Sequence, residues 1–164
     1  MKKLYLIGGT MGVGKTTTCQ TLKYKLHNSV FLDGDWCWDS HPFQVTAETK
    51  KIVMDNICFM LNNFIHCSSY DHIIFCWVMH QQEIIDEIIE RLDLTDTKVI
   101  KISLVCHEKA LTQRLSLDVE KGIRNKDVIT RSVERIALYD QLDTVKIDVS
   151  DKSVEEVVKD IMKL

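Results

Sequence analysis

A glycine-rich segment near the start of the chain constrains its fold more than any other feature. Leu4 to Ile7 form a short apolar run typical of a buried strand, and the residues from about Lys15 to His27 repeat apolar side chains at helical spacing. Between them, Gly9 through Thr16 match the pattern G-x-x-x-x-G-K-[ST]. A loop of this kind between a strand and a helix is typical of a phosphate-binding site, so we predict one here.

The chemistry of phosphate binding accounts for the residue types in this loop. Glycines allow backbone conformations that direct several N–H groups inward, and the N-terminus of the following helix adds unpaired N–H groups. Lys15 is expected to reach the β- and γ-phosphates of ATP, and the Thr16 hydroxyl to bind Mg²⁺. A glycine-rich turn without a ligand is the alternative. The predicted nucleotide ligands are Gly9, Thr10, Met11, Gly12, Val13, Gly14, Lys15, Thr16 and, with a hydrogen bond to the α-phosphate, Thr17.

Strand and helix patterns alternate along the remaining chain, which favours a parallel sheet covered on both faces. We expect one α/β domain over residues 1–164, a three-layer α/β/α sandwich with a five-stranded parallel sheet and a small lid at about 116–130. Ligands would bind at the carboxyl ends of the strands. The predicted strands are 4–7, 30–32, 72–78, 99–106 and 145–149, and the predicted helices are 15–27, 46–65, 83–92, 108–117, 128–142 and 154–162.

Two aspartates follow the second predicted strand. Asp33 and Asp35 are two residues apart after an extended segment, so both carboxylates can face one cleft. One carboxylate can hold Mg²⁺, and the other can orient a substrate hydroxyl and accept its proton. A plain Asp-Gly turn is the alternative. The aromatic faces in the segment after Asp35 can hold a flat or apolar substrate or can cover the domain. The candidate positions for a substrate are Trp36, Trp38, His41, Trp77 and His80.

Basic residues concentrate between the fourth and fifth predicted strands. The stretch around residues 117–126 shows little apolar periodicity, so we interpret it as a lid whose arginines move onto the phosphates. Arginine suits the spread charge of a phosphoryl group in transfer. A solvated helical face with acidic neighbours is the alternative. The basic residues of this segment are Arg114, Lys121, Arg124, Lys126, Arg131 and Arg135.

Composition excludes several other classes of protein. The formal net charge of −3 gives no broad basic surface, so nucleic acid is an unlikely partner, and no apolar segment is long enough for a membrane span. The six cysteines form no C-x-x-C pair and lie in apolar stretches, which indicates reduced thiols in a cytoplasmic protein. No set of four ligands has the spacing of a zinc site.

These residues together resemble the small P-loop kinases of the nucleoside-monophosphate-kinase-like group. Within this group the sequence is similar to shikimate kinase, gluconate kinase, adenylylsulfate kinase and the chloramphenicol phosphotransferase-like proteins. The resemblance rests on the loop from Gly9 to Thr16, on the block Phe31 to Asp35, and on the arginine-bearing segment. It implies a P-loop NTP hydrolase fold that binds ATP, Mg²⁺ and a small-molecule phosphate acceptor.

The resemblance also implies roles for individual residues. Asp33 would help to hold Mg²⁺, and Asp35 would contact the substrate and act as the base. Arg114 would pack on adenine, and Arg124 and Arg131 would reach the phosphates as catalytic residues beside Lys15. The third predicted strand departs from the pattern, because Cys76 stands near its end and no acidic residue does.

The function that these observations favour is transfer of the γ-phosphate of ATP to a hydroxyl or phosphate of a small molecule, such as a nucleoside, a nucleotide or a sugar acid. One alternative is a nucleotide-binding ATPase or sensor with little transfer activity, and another is a nucleic-acid end kinase. The sequence leaves the acceptor and the oligomeric state open.

Overall fold

A parallel sheet of five strands forms the centre of the molecule in the computed structural model, which describes all residues 1–164. The strands run in the order β2-β3-β1-β4-β5, with β1 in the middle, where Leu6 pairs with Phe75 on one side and Lys101 on the other. The predicted parallel sheet is therefore confirmed. Its strands are β1 (Lys2–Gly8), β2 (Ser29–Asp33), β3 (His72–Cys76), β4 (Thr97–Val105) and β5 (Val145–Asp148).

Five α-helices and two 3-10 helices lie between the strands, and a sixth α-helix follows β5. No helix combines the length and the apolar character that crossing a membrane would require. The α-helices are α1 (Lys15–Lys25), α2 (Ala47–His66), α3 (Gln82–Glu90), α4 (Glu108–Glu120), α5 (Asp127–Glu134) and α6 (Val154–Met162), and the 3-10 helices cover Gly34–Trp38 and Ile136–Gln141.

The side chains of β1 show why the fold has three layers. Successive strand residues point to opposite faces, so Tyr5 and Ile7 join one cluster of 20 buried residues, and Leu4 and Leu6 join another of 17. The first cluster includes buried residues of α1, α4, α5 and α6, and the second includes those of α2 and α3. Each face of the sheet is thus covered by its own set of helices, as predicted.

The helix predicted over 128–142 is wrong as a single element. The chain forms α5, bends at Arg135, and continues as the 3-10 helix Ile136–Gln141. Val128 belongs to the larger cluster, whereas Tyr139 and Leu142 belong to the smaller cluster on the other face of the sheet. A straight helix about 22 Å long could not pack on both faces, so the chain breaks where it passes from one face to the other.

The segment predicted as a lid is mostly helical. The helix predicted to end near residue 117 continues as α4 to Glu120, and only residues 121–126 separate it from α5. Arg124 in this connection forms an ion pair with Asp118, with 3.0 Å between Nε and Oδ2. The lid assignment at 116–130 remains a prediction.

Candidate active site

The glycine-rich loop leaves the end of β1 and leads into α1, as the sequence predicts. Gly12 has a φ of +86°, and a Cβ there would lie 2.4 Å from Leu115 on α4, so both conformation and space require glycine. Lys15 Nζ donates hydrogen bonds to the carbonyls of Gly9 at 2.8 Å and Thr10 at 3.1 Å. The ammonium group is therefore held inside the loop, where the predicted phosphates would bind.

The surroundings of Lys15 act on its charge in opposite directions. Burial lowers the pKa of the Lys15 ammonium, and the nearby Asp35 and Asp33 carboxylates favour its charged form. Cys76 also lies close, but a hydrogen bond with Cys19 and burial raise the pKa of the Cys76 thiol, so this thiol stays protonated. The two aspartates are thus the negative charges that oppose the effect of burial on the pKa of Lys15.

Asp33 is fixed at the end of β2 by hydrogen bonds to both of its carboxylate oxygens. Thr16 Oγ1 donates to Asp33 Oδ2 at 2.7 Å, and the Asp35 backbone N–H donates to Asp33 Oδ1 at 3.1 Å. Only 4% of the Asp33 surface is exposed, so these bonds compensate for much of the lost hydration. The predicted metal ligands Thr16 and Asp33 are therefore in direct contact.

Asp35 lies one step further along the chain, on the 3-10 helix that follows Asp33. The residue remains exposed to the cleft, yet protein atoms crowd its carboxylate and raise its pKa, and the charge of Asp33 adds to this shift. Lys15, the Trp77 indole N–H and Arg124 oppose the shift. Arg124 therefore lies close enough for its charge to act on the Asp35 carboxylate.

A cavity of about 810 Å³ opens beside Asp35. It lies between the glycine-rich loop, α2, α3, α5 and the loop after β3, and its volume is typical of a small-molecule site. The lining residues include the predicted site residues Met11, Asp35, Trp38, Trp77 and Arg131. A smaller groove of about 420 Å³ at the β4–β5 edge contains none of the predicted site residues.

Three aromatic side chains form one wall of the cavity. Trp38 lies with its ring centroid 5.1 Å from that of Phe43 and 6.5 Å from that of Trp77. A Cβ on Gly34 would lie 2.6 Å from Trp77 Cγ, so this glycine makes room for the indole ring. We refer to Trp38, Phe43 and Trp77 as the aromatic wall.

Two of the candidate substrate residues do not line the cavity. Trp36 packs edge-on against Phe31, with 5.2 Å between ring centroids, and Phe31 belongs to the core cluster on the other face of the sheet. His41 is exposed in the loop before α2 and is absent from the cavity lining. His80, at the end of the loop after β3, does line the cavity.

The remaining predicted nucleotide ligands surround the loop. Arg114 Nη1 donates to the Val13 carbonyl at 3.2 Å and Nη2 to the Val149 carbonyl at 2.7 Å, so it connects the loop to the segment after β5. Thr10 Oγ1 donates to the Ser132 carbonyl of α5 at 2.9 Å. The Thr10 hydroxyl is thus engaged within the protein, which leaves its backbone N–H for the predicted contact with phosphate. Thr17 is exposed at the start of α1.

Motifs and spacing in the sequence do not single out several of the residues that line the cavity. Lys50 and Phe43 are separated from the glycine-rich loop by more than one secondary-structure element and belong to no motif. Arg135 is one of the arginines of its segment, but its spacing does not distinguish it from its neighbours. The only sequence signal for Phe43 is the density of aromatic residues after Asp35.

Comparisons with known proteins agree with this architecture. The family model described as AAA domain matches residues 6–135, well over half of the chain. No curated protein matches the chain in sequence.

Solved structures share the fold across nearly the whole chain. A gluconokinase from Sinorhizobium meliloti aligns with a TM-score of 0.71 at 15% identity, covering 98% of this chain and 90% of that chain. The tunicamycin resistance protein of Deinococcus radiodurans aligns with a TM-score of 0.72 at 17% identity, covering 99% and 95%. A sugar kinase from a Janibacter species aligns with a TM-score of 0.72 at 12% identity, covering 99% and 94%. At these identities the likeness establishes the fold.

Proposed function

Because the chain belongs to the AAA-domain family and has the fold of small P-loop kinases, we propose that it transfers the γ-phosphate of ATP to a small-molecule acceptor. The observation that carries this proposal is the position of Asp35. Its carboxylate stands between the phosphate-binding loop and a cavity of about 810 Å³ that is large enough for a small molecule. A site that only hydrolysed ATP would need no second cavity beside its base.

ATP binding follows from the loop between β1 and α1. The N–H groups of Gly9 and Val13 donate to the Val78 and Thr10 carbonyls, so the other N–H groups of residues 10–16 and the N-terminus of α1 would form the anion site for the phosphates. Lys15 would exchange its bonds to the Gly9 and Thr10 carbonyls for phosphate oxygens. Arg114 lies between the loop and the segment after β5, the side on which we expect adenine.

Thr16 and Asp33 suit a magnesium ion. Mg²⁺ prefers oxygen ligands and is usually held by one or two protein groups together with phosphates and water. A hydroxyl and a carboxylate in contact at 2.7 Å offer such a pair, and the chain has no cluster of three or more His, Cys, Asp or Glu side chains that could hold a metal unaided. When bound, Mg²⁺ would neutralise charge on the phosphates.

Asp35 is the proposed general base. It would accept the proton of an acceptor hydroxyl while the hydroxyl oxygen forms a bond to the γ-phosphorus and the bond from that phosphorus to the β–γ bridging oxygen breaks. The products are the phosphorylated acceptor and ADP. The raised pKa of Asp35 makes this carboxylate a stronger base than an ordinary aspartate.

Arg124 and Arg131 are proposed to stabilise the phosphoryl group in transfer. Arg124 is paired with Asp118 at 3.0 Å, and Arg131 with Asp127 at 3.6 Å. Both pairs are at least partly exposed, so little free energy holds them and the arginines can turn toward the phosphates when the lid closes.

Asp35→Asn and Asp35→Ala test the assignment of the base. The expected result is loss of acceptor-dependent ADP formation by about a hundredfold or more, with Mg-ATP affinity within a few-fold of the original protein. ADP formation and nucleotide binding by calorimetry give the two readouts across a panel of sugars, sugar acids, nucleosides and hydroxylated antibiotics. Acceptor-dependent turnover that survives both substitutions would refute the role of Asp35. ADP formation that no acceptor stimulates would instead favour an ATPase or sensor.

A further inference from the structure

The charges that line the cavity are not balanced. Four basic residues line it, and the acidic residues there are Asp35 and Glu87. Glu87 already pairs with Arg91 outside the cavity at 3.2 Å, and Asp35 lies beside Lys15. The acidic side chains of the cavity are therefore matched by other cations and do not neutralise its basic residues.

Two of the four basic residues are matched by acids outside the cavity. Lys51 Nζ lies 2.7 Å from Asp55, and Arg131 lies 3.6 Å from Asp127. The other two, Lys50 and Arg135, form no ion pair anywhere in the molecule.

Arg135 is half-buried, and a guanidinium group taken partly out of water without an acidic partner is costly. Lys50 lies on α2 and Arg135 follows α5, so the two free cations reach the cavity from different elements.

Two buried polar atoms in the same cavity also lack hydrogen-bond partners. They are Trp38 Nε1, a donor, and His80 Nδ1. Burial and the nearby Arg135 lower the pKa of His80, so its ring is neutral at physiological pH. Buried polar atoms are almost always hydrogen-bonded, and two unpaired ones on residues that line one cavity indicate that this wall lacks a polar partner.

We propose that the phosphate acceptor is an anion, whose carboxylate or phosphate group binds Arg135 and Lys50 while its hydroxyl faces Asp35. The remaining part of the acceptor is flat or apolar and lies against the aromatic wall. This inference rests on the proposed function, and it deepens that function by naming the class of acceptor.

The unpaired basic residues of the cavity fit an anionic acceptor better than a neutral one. A carboxylate or phosphate presents several acceptor oxygens to a planar guanidinium and a lysine. A neutral acceptor would fill the aromatic wall but would carry no charge to pair with Arg135 and Lys50.

Tryptophan fluorescence measures binding without requiring transfer. In Trp36→Phe the two remaining tryptophans, Trp38 and Trp77, both line the cavity. With Mg-ADP on the phosphate-binding loop, this protein is titrated with phenyllactate, phenyl phosphate and the neutral phenylethanol. We expect at least one anion to bind about tenfold more tightly than phenylethanol. Whichever of phenyllactate and phenyl phosphate binds more tightly shows whether the site prefers a carboxylate or a phosphate.

Arg135→Gln and Lys50→Gln should each reduce that preference about tenfold or remove it. Lys51→Gln is the matched control, because Lys51 lines the same cavity but is already paired with Asp55, and it should keep the preference. Lys50 is exposed, so its variant keeps the test valid even if Arg135→Gln fails to fold. Arg135→Lys should retain part of the preference.

The inference is overturned if phenylethanol binds as tightly as both anions, if neither anion binds saturably, or if the preference survives in both glutamine variants. These results are independent of catalysis. Transfer of phosphate to a neutral acceptor that needs Asp35 but not Arg135 would refute the anionic acceptor and leave the kinase intact. Anion binding with no transfer to any acceptor would support the anion site and refute the proposed kinase activity.

Discussion

Gly34→Ala tests whether the aromatic wall is built around a missing side chain. The added Cβ would lie 2.6 Å from Trp77 Cγ, 2.7 Å from Cδ1 and 3.0 Å from Cβ. These atoms are at the root of the indole side chain, so a small rotation cannot move them away. Gly34 has ordinary backbone angles, so any cost comes from the contact with Trp77.

The close contact with Trp77 sets the size of the expected loss of stability. Overpacking of this kind costs about 1–3 kcal/mol, which in a chain of this size lowers Tm by roughly 2–10 °C. Displacement of Trp77 also deforms the cavity beside Asp35, so the KM for an acceptor should rise while the affinity for Mg-ATP changes little. Urea denaturation, calorimetric nucleotide binding and acceptor kinetics measure the three quantities.

Gly8→Ala is the matched control. A Cβ there would meet its nearest atoms at 3.6–3.7 Å, which is ordinary van der Waals contact, so its stability should change by less than about 0.5 kcal/mol. The reasoning is refuted if Gly34→Ala is as stable as Gly8→Ala and keeps its acceptor KM.

Three further predictions concern Asp35, Thr10 and the cysteines. The raised pKa of Asp35 means that the folded protein binds this proton more tightly than the unfolded chain, so stability falls as pH rises from the ordinary aspartate pKa through the raised one. Asp35→Asn should therefore raise Tm at neutral pH, and an equal or lower Tm would contradict the shift. Thr10→Val should cost about 1–3 kcal/mol in urea denaturation, because it leaves the buried Ser132 carbonyl unpaired; a neutral effect would show that the bond is dispensable. A thiol reagent should label the half-buried Cys37 and Cys67 before the four buried cysteines in the native protein, and simultaneous labelling of all six, followed by mass spectrometry, would contradict that burial.

The fold follows from local patterns in the sequence. Apolar residues dominate β1, β2 and β3, most helices repeat apolar residues on one face, and the glycine-rich loop fixes the connection from β1 to α1. The break at Arg135 could not be predicted, because residues 128–142 keep a helical pattern while the buried residues on either side of the break pack on opposite faces of the sheet. That division depends on tertiary contacts.

The candidate site likewise has one part that motifs predict and another that only tertiary contacts assemble. The glycine-rich loop, Thr16 and Asp33 are close in the fold because motifs place them at the carboxyl ends of β1 and β2, which lie on either side of β3 in one parallel sheet. The acceptor cavity is assembled from α2, α3, α5 and two loops, so the roles of Lys50 and Arg135 depend on which side chains lack acidic partners. The ion pairs Lys51–Asp55 and Arg131–Asp127 follow from spacing, because their members lie four residues apart on a helix, but which basic residues line the cavity is a property of the folded chain.

ATP labelled at its γ-phosphate gives the most direct test of whether the protein transfers this phosphate to a small-molecule acceptor. The protein is incubated with labelled Mg-ATP and a mixture of anionic hydroxyl compounds, and the label is followed by chromatography and mass spectrometry. We expect label to appear covalently on an acceptor, in amounts equal to the ADP formed, and Asp35→Asn to abolish the transfer. Label released only as inorganic phosphate, at a rate that no acceptor changes, would contradict it.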